Sequence, residues 1–363
     1  MYEAQSPTIP RPIALTGDPT LAEELHRLAA AAGVELAVLD EPAEARSLWT
    51  LAPLVLVGAD LLTDLADAVM PRRDGVHVVA RQPVPDAGFR AALVVGAESV
   101  VELPTAQQWM VEAFADCADG SLGRAPVVGV VGGCGGVGAS TFASALALAA
   151  ADVVPAVTLV DADPLGSGLE ALVGVDEGGA AWSSLMESTG RLGSRALRAA
   201  LPGRGGVAVL GWGAGGRPEL DPTVAAEALG AARRGSDLVV VDLPRYLDEP
   251  ASQLLVRCDH LVIVTGLTLA AVTATARVMA ATAPAVAHAH LLARGSVSGL
   301  DPAEVAVTLG LPLAAVMGDQ RGLREAVELG QGPLRSRRGP LARAARTLLA
   351  LLSVAPASRR AVA

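Results

Sequence analysis

Lysine is absent from this chain of 363 residues, and all 28 of its basic residues are arginine. A GC-rich coding bias is enough to explain the gap. Its consequence is the same whatever the cause: no mechanism that needs a lysine ammonium is open to the chain acting alone. Aromatic residues make up only 2%, which excludes a surface built to stack nucleic-acid bases. The three cysteines, Cys117, Cys134 and Cys258, are odd in number and lack metal-ligand spacing, as in a protein of a reducing cytoplasm. The five histidines show no ligand pattern along the chain either. No basic segment followed by an apolar core opens the sequence, so no signal peptide is expected. No apolar run reaches ~18 residues without a charge or a proline, so no membrane span is expected. The net charge of −10 disfavours general nucleic-acid binding. Acidic residues are missing after Glu328, where Arg335, Arg337, Arg338, Arg343, Arg346, Arg359 and Arg360 gather.

What is present is a chain with 52% hydrophobic residues, long enough for two domains. Residues 1–11 read as a disordered N-terminus. From 12 to 118, five short apolar runs ("PIALTG", "ELAVLD", "LVLVGAD", "VHVVA", "SVVEL") alternate with helical segments, which predicts a doubly wound parallel sheet. The first helix opens at Pro19 and stops at Gly33. "GAESVVELPTA" resembles the closing strand of a response-regulator receiver, with Gly96-Ala97 and Pro104 in place. Leu103, however, occupies the position of the receiver lysine. Gly58 falls where the phosphoacceptor aspartate ends the third strand, and Asp60 comes two residues too late. "LTGD" at the end of the first strand lacks the pair of adjacent acids that holds Mg²⁺. The resemblance implies a pseudo-receiver without phosphotransfer chemistry, a docking or dimerisation module.

Residues 119–126 read as a linker, and 127–352 as a second α/β domain with seven near-continuous apolar strands, followed by a basic tail over 353–363. Its opening stretch, "VVGVVGGCGGVGASTFASALALAA", fits two phosphate-binding fingerprints. Gly133-x-Gly135-x-x-Gly138 is the spacing of a dinucleotide loop, and Gly133-x-x-x-x-Gly138-Ala139-Ser140 is that of an ATP-binding P-loop without its lysine. Both use glycine-exposed N–H groups and a helix N-terminus to hold an anion. Asp161 stands about twenty residues on, where a dinucleotide site holds a ribose, so an NAD(P)-dependent oxidoreductase is a rival. Three features favour the P-loop. Ser140 and Thr141 are placed to ligate Mg²⁺, "LVDADP" supplies Asp161 and Asp163 at i and i+2, and "DLVVVDLPR" ends a buried strand in Asp242.

"GGCGGVGAST", "DADP" and "VVVDLPR", in this order, resemble the ParA/MinD family of deviant-Walker P-loop ATPases over about residues 126–352. With the pseudo-receiver ahead of it, the architecture is similar to the CpaE/TadZ branch and to septum-site-determining proteins. The resemblance implies an α/β fold: a receiver-like doubly wound sheet, then a mostly parallel MinD/ParA sheet with helices on both faces. It implies ATP or ADP with Mg²⁺ at Gly133, Cys134, Gly135, Gly136, Val137, Gly138, Ala139, Ser140, Thr141 and Arg294. The metal would sit among Ser140, Asp161 and Asp242, with Asp163 and Asp242 as switch and Walker B carboxylates. No NAD is expected.

This sequence departs from the family at both lysines. Cys134 replaces the signature lysine and Ala139 the P-loop lysine, so nucleotide binding is weakened or lost and hydrolysis crippled. Losing one preorganised charge at a transition state costs ~3 kcal/mol. Ala293 stands where the family often has the adenine-reading asparagine. The alternative is a working ATPase in which an arginine replaces lysine. Equally open is a relic in which the glycines serve packing alone and Ser140 and Thr141 only satisfy the helix end. The last helix, "PLARAARTLLALLSV", sets Leu341, Ala345, Leu348, Leu349 and Leu352 on one face. It either packs on the domain or touches a membrane. The expected protein is cytoplasmic, either free or peripheral at the inner membrane face, and homodimeric. Its expected partners are cell-division or Tad/Flp pilus-secretion proteins, with no sequence-specific nucleic acid.

Overall fold

A computed structural model describes residues 11–354 except 69, 74, 119–124, 176–177, 188–191, 214–218 and 296–298. The expected disordered N-terminus, most of the linker and most of the basic tail therefore lie outside the described residues. The chain divides into two compact units between residues 123 and 124.

The first unit is a five-stranded parallel sheet of β1 (Ile13–Leu15), β2 (Ala37–Leu39), β3 (Val55–Gly58), β4 (Val76–Ala80) and β5 (Ser99–Glu102). The order β2-β1-β3-β4-β5 places its topological switch between β1 and β3, as the alternating pattern requires. Helix Pro19–Ala31 begins where the Asp18 side chain accepts the Thr20 N–H, with proline preset in the first turn. Leu21, Leu25, Leu28, Met110 and Phe114 fill one face of the sheet, and Trp49, Leu62 and Leu65 the other.

The second unit has eight strands: β6 (Val127–Gly132), β7 (Val157–Asp161), β8 (Gly203–Arg204), β9 (Val207–Leu210), β10 (Leu238–Leu243), β11 (His260–Gly266), β12 (His288–Arg294) and β13 (Leu313–Met317). They are ordered β13-β12-β11-β6-β10-β7-β9-β8, and only the β8–β9 pair is antiparallel. β8 is the strand that the apolar pattern misses, because two residues carry no period. β6, β7 and β10 are buried at every position, since helices cover both faces of a parallel sheet.

The terminal helix Pro340–Leu351 resolves one of the open alternatives. Leu341, Ala345, Leu348 and Leu349 are buried in the same core as Phe142 and Leu146 of the helix that follows β6. Its apolar stripe is therefore not free for lipid. Arg343 and Arg346 remain on the exposed face, and Arg335, Arg337 and Arg338 are exposed just before the helix. Among the described residues, no helix is long and apolar enough to cross a membrane.

Candidate functional site

β6 delivers the chain into the loop Gly133–Gly138, and helix Ala139–Ala150 leaves from it. The glycines serve different ends. A Cβ on Gly133 would fall 2.2 Å from the hydroxyl of Thr275, a buried residue of helix Leu269–Thr282, so this glycine answers to packing. Gly136 and Gly138 have φ of +70° and +89°, which L side chains rarely adopt. Gly138 caps the helix without a side-chain bond, so the first-turn N–H groups face the loop. Cys134 and Ala139, at the two lysine positions, pack partly against the core.

Carboxylates approach the loop from the neighbouring strands. Asp242, the last residue but one of β10, lies opposite Asp161 at the end of β7. Asp242 is 3% exposed and Asp161 1%. Burial pushes the Asp242 carboxyl up to about 8, against the hydrogen bond that the Ser140 hydroxyl donates to it. Burial pushes Asp161 up to about 7, with Glu170 and Asp163 adding repulsion, while the Asp163 and Leu169 N–H groups oppose the shift. Those two N–H groups engage both oxygens of Asp161, at 3.0 and 3.1 Å. Each Asp161 oxygen thus already accepts one backbone N–H.

A cleft of about 770 Å³ joins these parts. It is lined by the loop from Gly135 to Gly138, by Ser140 and Thr141, and by Asp163 and Asp242. Asp161 sits beneath, outside the lining. Arg294 enters from β12, and the structure gives it a role the sequence did not suggest. Its Nη1 donates to the carbonyls of Val137 (2.9 Å) and Gly136 (3.4 Å), while Nε and Nη2 reach Asp319. Arg294 thus braces the loop. Sequence reasoning missed Arg245, whose guanidinium hangs beside Gly135 (Nη2 3.6 Å from where a Cβ would stand). Its only signal in the sequence is its place two residues after β10.

The fit for Mg²⁺ and a nucleotide is good in this geometry. The loop offers N–H groups to an anion, and Ser140 with two buried carboxylates, whose pKa values burial raises, offers oxygen ligands to Mg²⁺.

The corresponding end of the first unit is closed. The Asp60 carboxylate accepts from Thr16 Oγ1 (2.9 Å) and the Gly17 N–H (2.7 Å), and a Cβ on Gly58 would stand 2.2 Å from Asp60 Oδ1. Leu103 is buried.

The fold brings three of the histidines together without making a metal site of them among the described residues. Parallel register sets His260 opposite His288, and His290 Nε2 lies 3.3 Å from His260 Nδ1, so three of the five gather on one sheet face. No group of three or more His, Cys, Asp or Glu among the described residues is arranged to hold a metal ion.

Residues 15–125 match the model of the Rv3660c-like, CheY-like N-terminal domain. The protein Rv3660c of Mycobacterium tuberculosis H37Rv is 38% identical over 350 residues, 94% of this chain and 98% of that protein. The chain belongs to the Rv3660c-like family. MT3760 of strain CDC 1551 / Oshkosh matches with the same identity and coverage. Among solved structures, the ParA family ATPase of Chlorobium tepidum is similar at a TM-score of 0.54 and 17% identity, over 62% of this chain and 98% of that one. The septum-site-determining protein MinD of Pyrococcus horikoshii, complexed with Mg-ADP, gives 0.51 and 20%, over 63% and 96%. The MinC:MinD cell-division complex of Aquifex aeolicus gives 0.53 and 16%, over 63% and 96%. The second unit of this Rv3660c-like protein thus has the ParA/MinD P-loop fold, joined to a CheY-like first unit in a CpaE-like architecture.

Proposed function

We propose that the protein is a MinD/ParA-type positioning or regulatory protein whose second unit binds ATP or ADP with Mg²⁺ weakly and hydrolyses it poorly. It would act as a homodimer through partner docking, at the division septum or at a polar Tad/Flp pilus assembly, and the pseudo-receiver would be one docking module. The observation that carries the reading is the single cleft that holds the glycine loop, Ser140 and Asp242, in a chain without lysine. In such a site the loop N–H groups and the helix N-terminus would hold the phosphates. Ser140 and Asp242, with Asp161 behind them, would hold the metal. Mg²⁺ would supply charge to the phosphate oxygens. What is missing is the lysine charge that follows the developing negative charge of hydrolysis. The Mg-ADP in the MinD of Pyrococcus horikoshii and the partner in the MinC:MinD complex support nucleotide and partner binding for this fold.

The Arg245 guanidinium, without a partner among the described residues, supports a second reading, a working ATPase with arginine in place of lysine. Titration calorimetry with Mg-ATP and a phosphate-release assay on the purified full chain separate the two. Saturable binding with negligible turnover is expected. Mg²⁺-dependent turnover that disappears in Asp242→Ala would establish the second reading instead.

A further inference from the structure

The cleft is lined by three carboxylates and three arginines, and the arginines differ in what binds them. Its carboxylates are Asp163, Asp242 and Glu328, and its cations are Arg245, Arg294 and Arg324. Arg324 is bound to Glu328 at 2.9 Å. Arg294 spends its donors on the Val137 and Gly136 carbonyls and on Asp319, so turning it toward an anion would unfasten the loop. Arg245 has no hydrogen bond or ion pair among the described residues. It is exposed, and the buried β10 and the fixed φ of Pro244 hold its backbone at the cleft edge. Its guanidinium lies beside the loop, with three of its atoms 3.6–3.9 Å from where a Cβ on Gly135 would stand.

From this division we infer that Arg245 is the phosphate-binding cation of the site and Arg294 the positioning residue that holds the loop in shape. The ligand class is the polyphosphate chain of a nucleotide, and the inference rests on the nucleotide reading above. A guanidinium suits the task because its planar fork donates two parallel bonds to a phosphate and never loses its charge. It differs from a loop lysine in origin. It arrives on the segment that follows the Asp242 strand, so one stretch of chain presents both the carboxylate and the cation.

The test is titration of the full chain with Mg-ATP, and separately with inorganic tripolyphosphate, for wild type, Arg245→Gln, Arg245→Lys and Arg294→Gln. Melting midpoints are recorded for each. Arg245→Gln is expected to keep the wild-type midpoint and to weaken both ligands by about tenfold or more, with a shallower dependence on salt. Arg245→Lys is expected to stay within a few-fold of wild type. Arg294→Gln is expected to lower the midpoint. Equal affinity of Arg245→Gln and wild type overturns the inference and leaves nucleotide binding intact. Loss of binding in Arg294→Gln at an unchanged midpoint reverses the two roles and overturns it too. A wild type that binds neither ligand defeats the nucleotide reading itself, and the inference with it.

Discussion

The two units are parallel α/β sheets that treat the carboxyl ends of their strands in opposite ways. In the first, the end that carries chemistry in a receiver is tied shut, with Asp60 committed to Thr16 and Gly17. In the second, the same end opens into a cleft with an arginine unpaired among the described residues, above two buried carboxyls pushed toward neutrality. Charge follows the same division. Residues 1–123 hold eighteen carboxylates against seven arginines, a net −11, whereas 124–363 hold twenty against twenty-one, a net +1. A sheet that has satisfied its strand ends has only its surface left to work with, here an acidic one. A sheet that leaves polar groups strained at its strand ends retains the makings of a binding site, at a cost to its own stability.

The largest effect that tests this contrast concerns the terminal helix, which belongs to the second unit's core and not to a lipid surface. Leu348 is fully buried. Leu348→Asp should cost on the order of 4 kcal/mol or more, because it leaves a cavity and buries an unpaired charge. Denaturant unfolding without lipid is the measurement. An unchanged midpoint would mean that the helix is not docked in solution.

Next in size is the stored strain of the cleft. Asp161 and Asp242 rise from 3.8 to about 7 and about 8. The folded state therefore binds more protons than the unfolded one between about pH 4 and 8, and stability falls as pH rises through that window. The contribution is complete below pH 3.8 and gone above about 8. Asp242→Asn should flatten the slope and stabilise the protein at pH 8 by about 2 kcal/mol, read by calorimetry from pH 5.5 to 8.5. A mutant with the wild-type slope would show that Asp242 carries no such strain.

The sequence made the frame legible because local chemistry sets it. Near-continuous Val and Leu runs announce strands buried on both faces, and glycines followed by Ser140 and Thr141 announce a loop and a helix start. It hid whatever depends on register and on what lies opposite. Nothing in the spacing of 260, 288 and 290 reveals three imidazoles on neighbouring strands, which burial and mutual repulsion hold below the usual histidine range at His260 and His290. The stripe on Pro340–Leu351 was plain, but an amphipathic period does not name the surface that covers it. Arg294 was marked for its place beside Ala293, yet its work is on the loop carbonyls. Arg245 closes the "VVVDLPR" stretch without a role of its own there, since an arginine two residues past a strand is ordinary until the fold sets it beside Gly135.

The smallest effect concerns the closed end. Asp60→Ala removes the acceptor of one hydroxyl and one backbone N–H at a partly exposed site. The expected cost is about 1 kcal/mol, below the ~1.5–3 kcal/mol of a well-buried bond to a charged group. The chemical half of the prediction is sharper. A carboxylate that accepts at both oxygens, on a turn beyond the strand end and without an adjacent acid pair to gather Mg²⁺, has no geometry for attack on a phosphoryl donor. Incubation with acetyl phosphate and Mg²⁺ should leave Asp60 unmodified by mass spectrometry, in wild type and in Leu103→Lys alike. Leu103→Lys restores the missing cation and nothing else. Hydroxylamine-sensitive acyl phosphate on Asp60 in wild type would erase the contrast between the units, and its appearance only in Leu103→Lys would assign the closure to the lost lysine rather than to the Thr16–Asp60 contact.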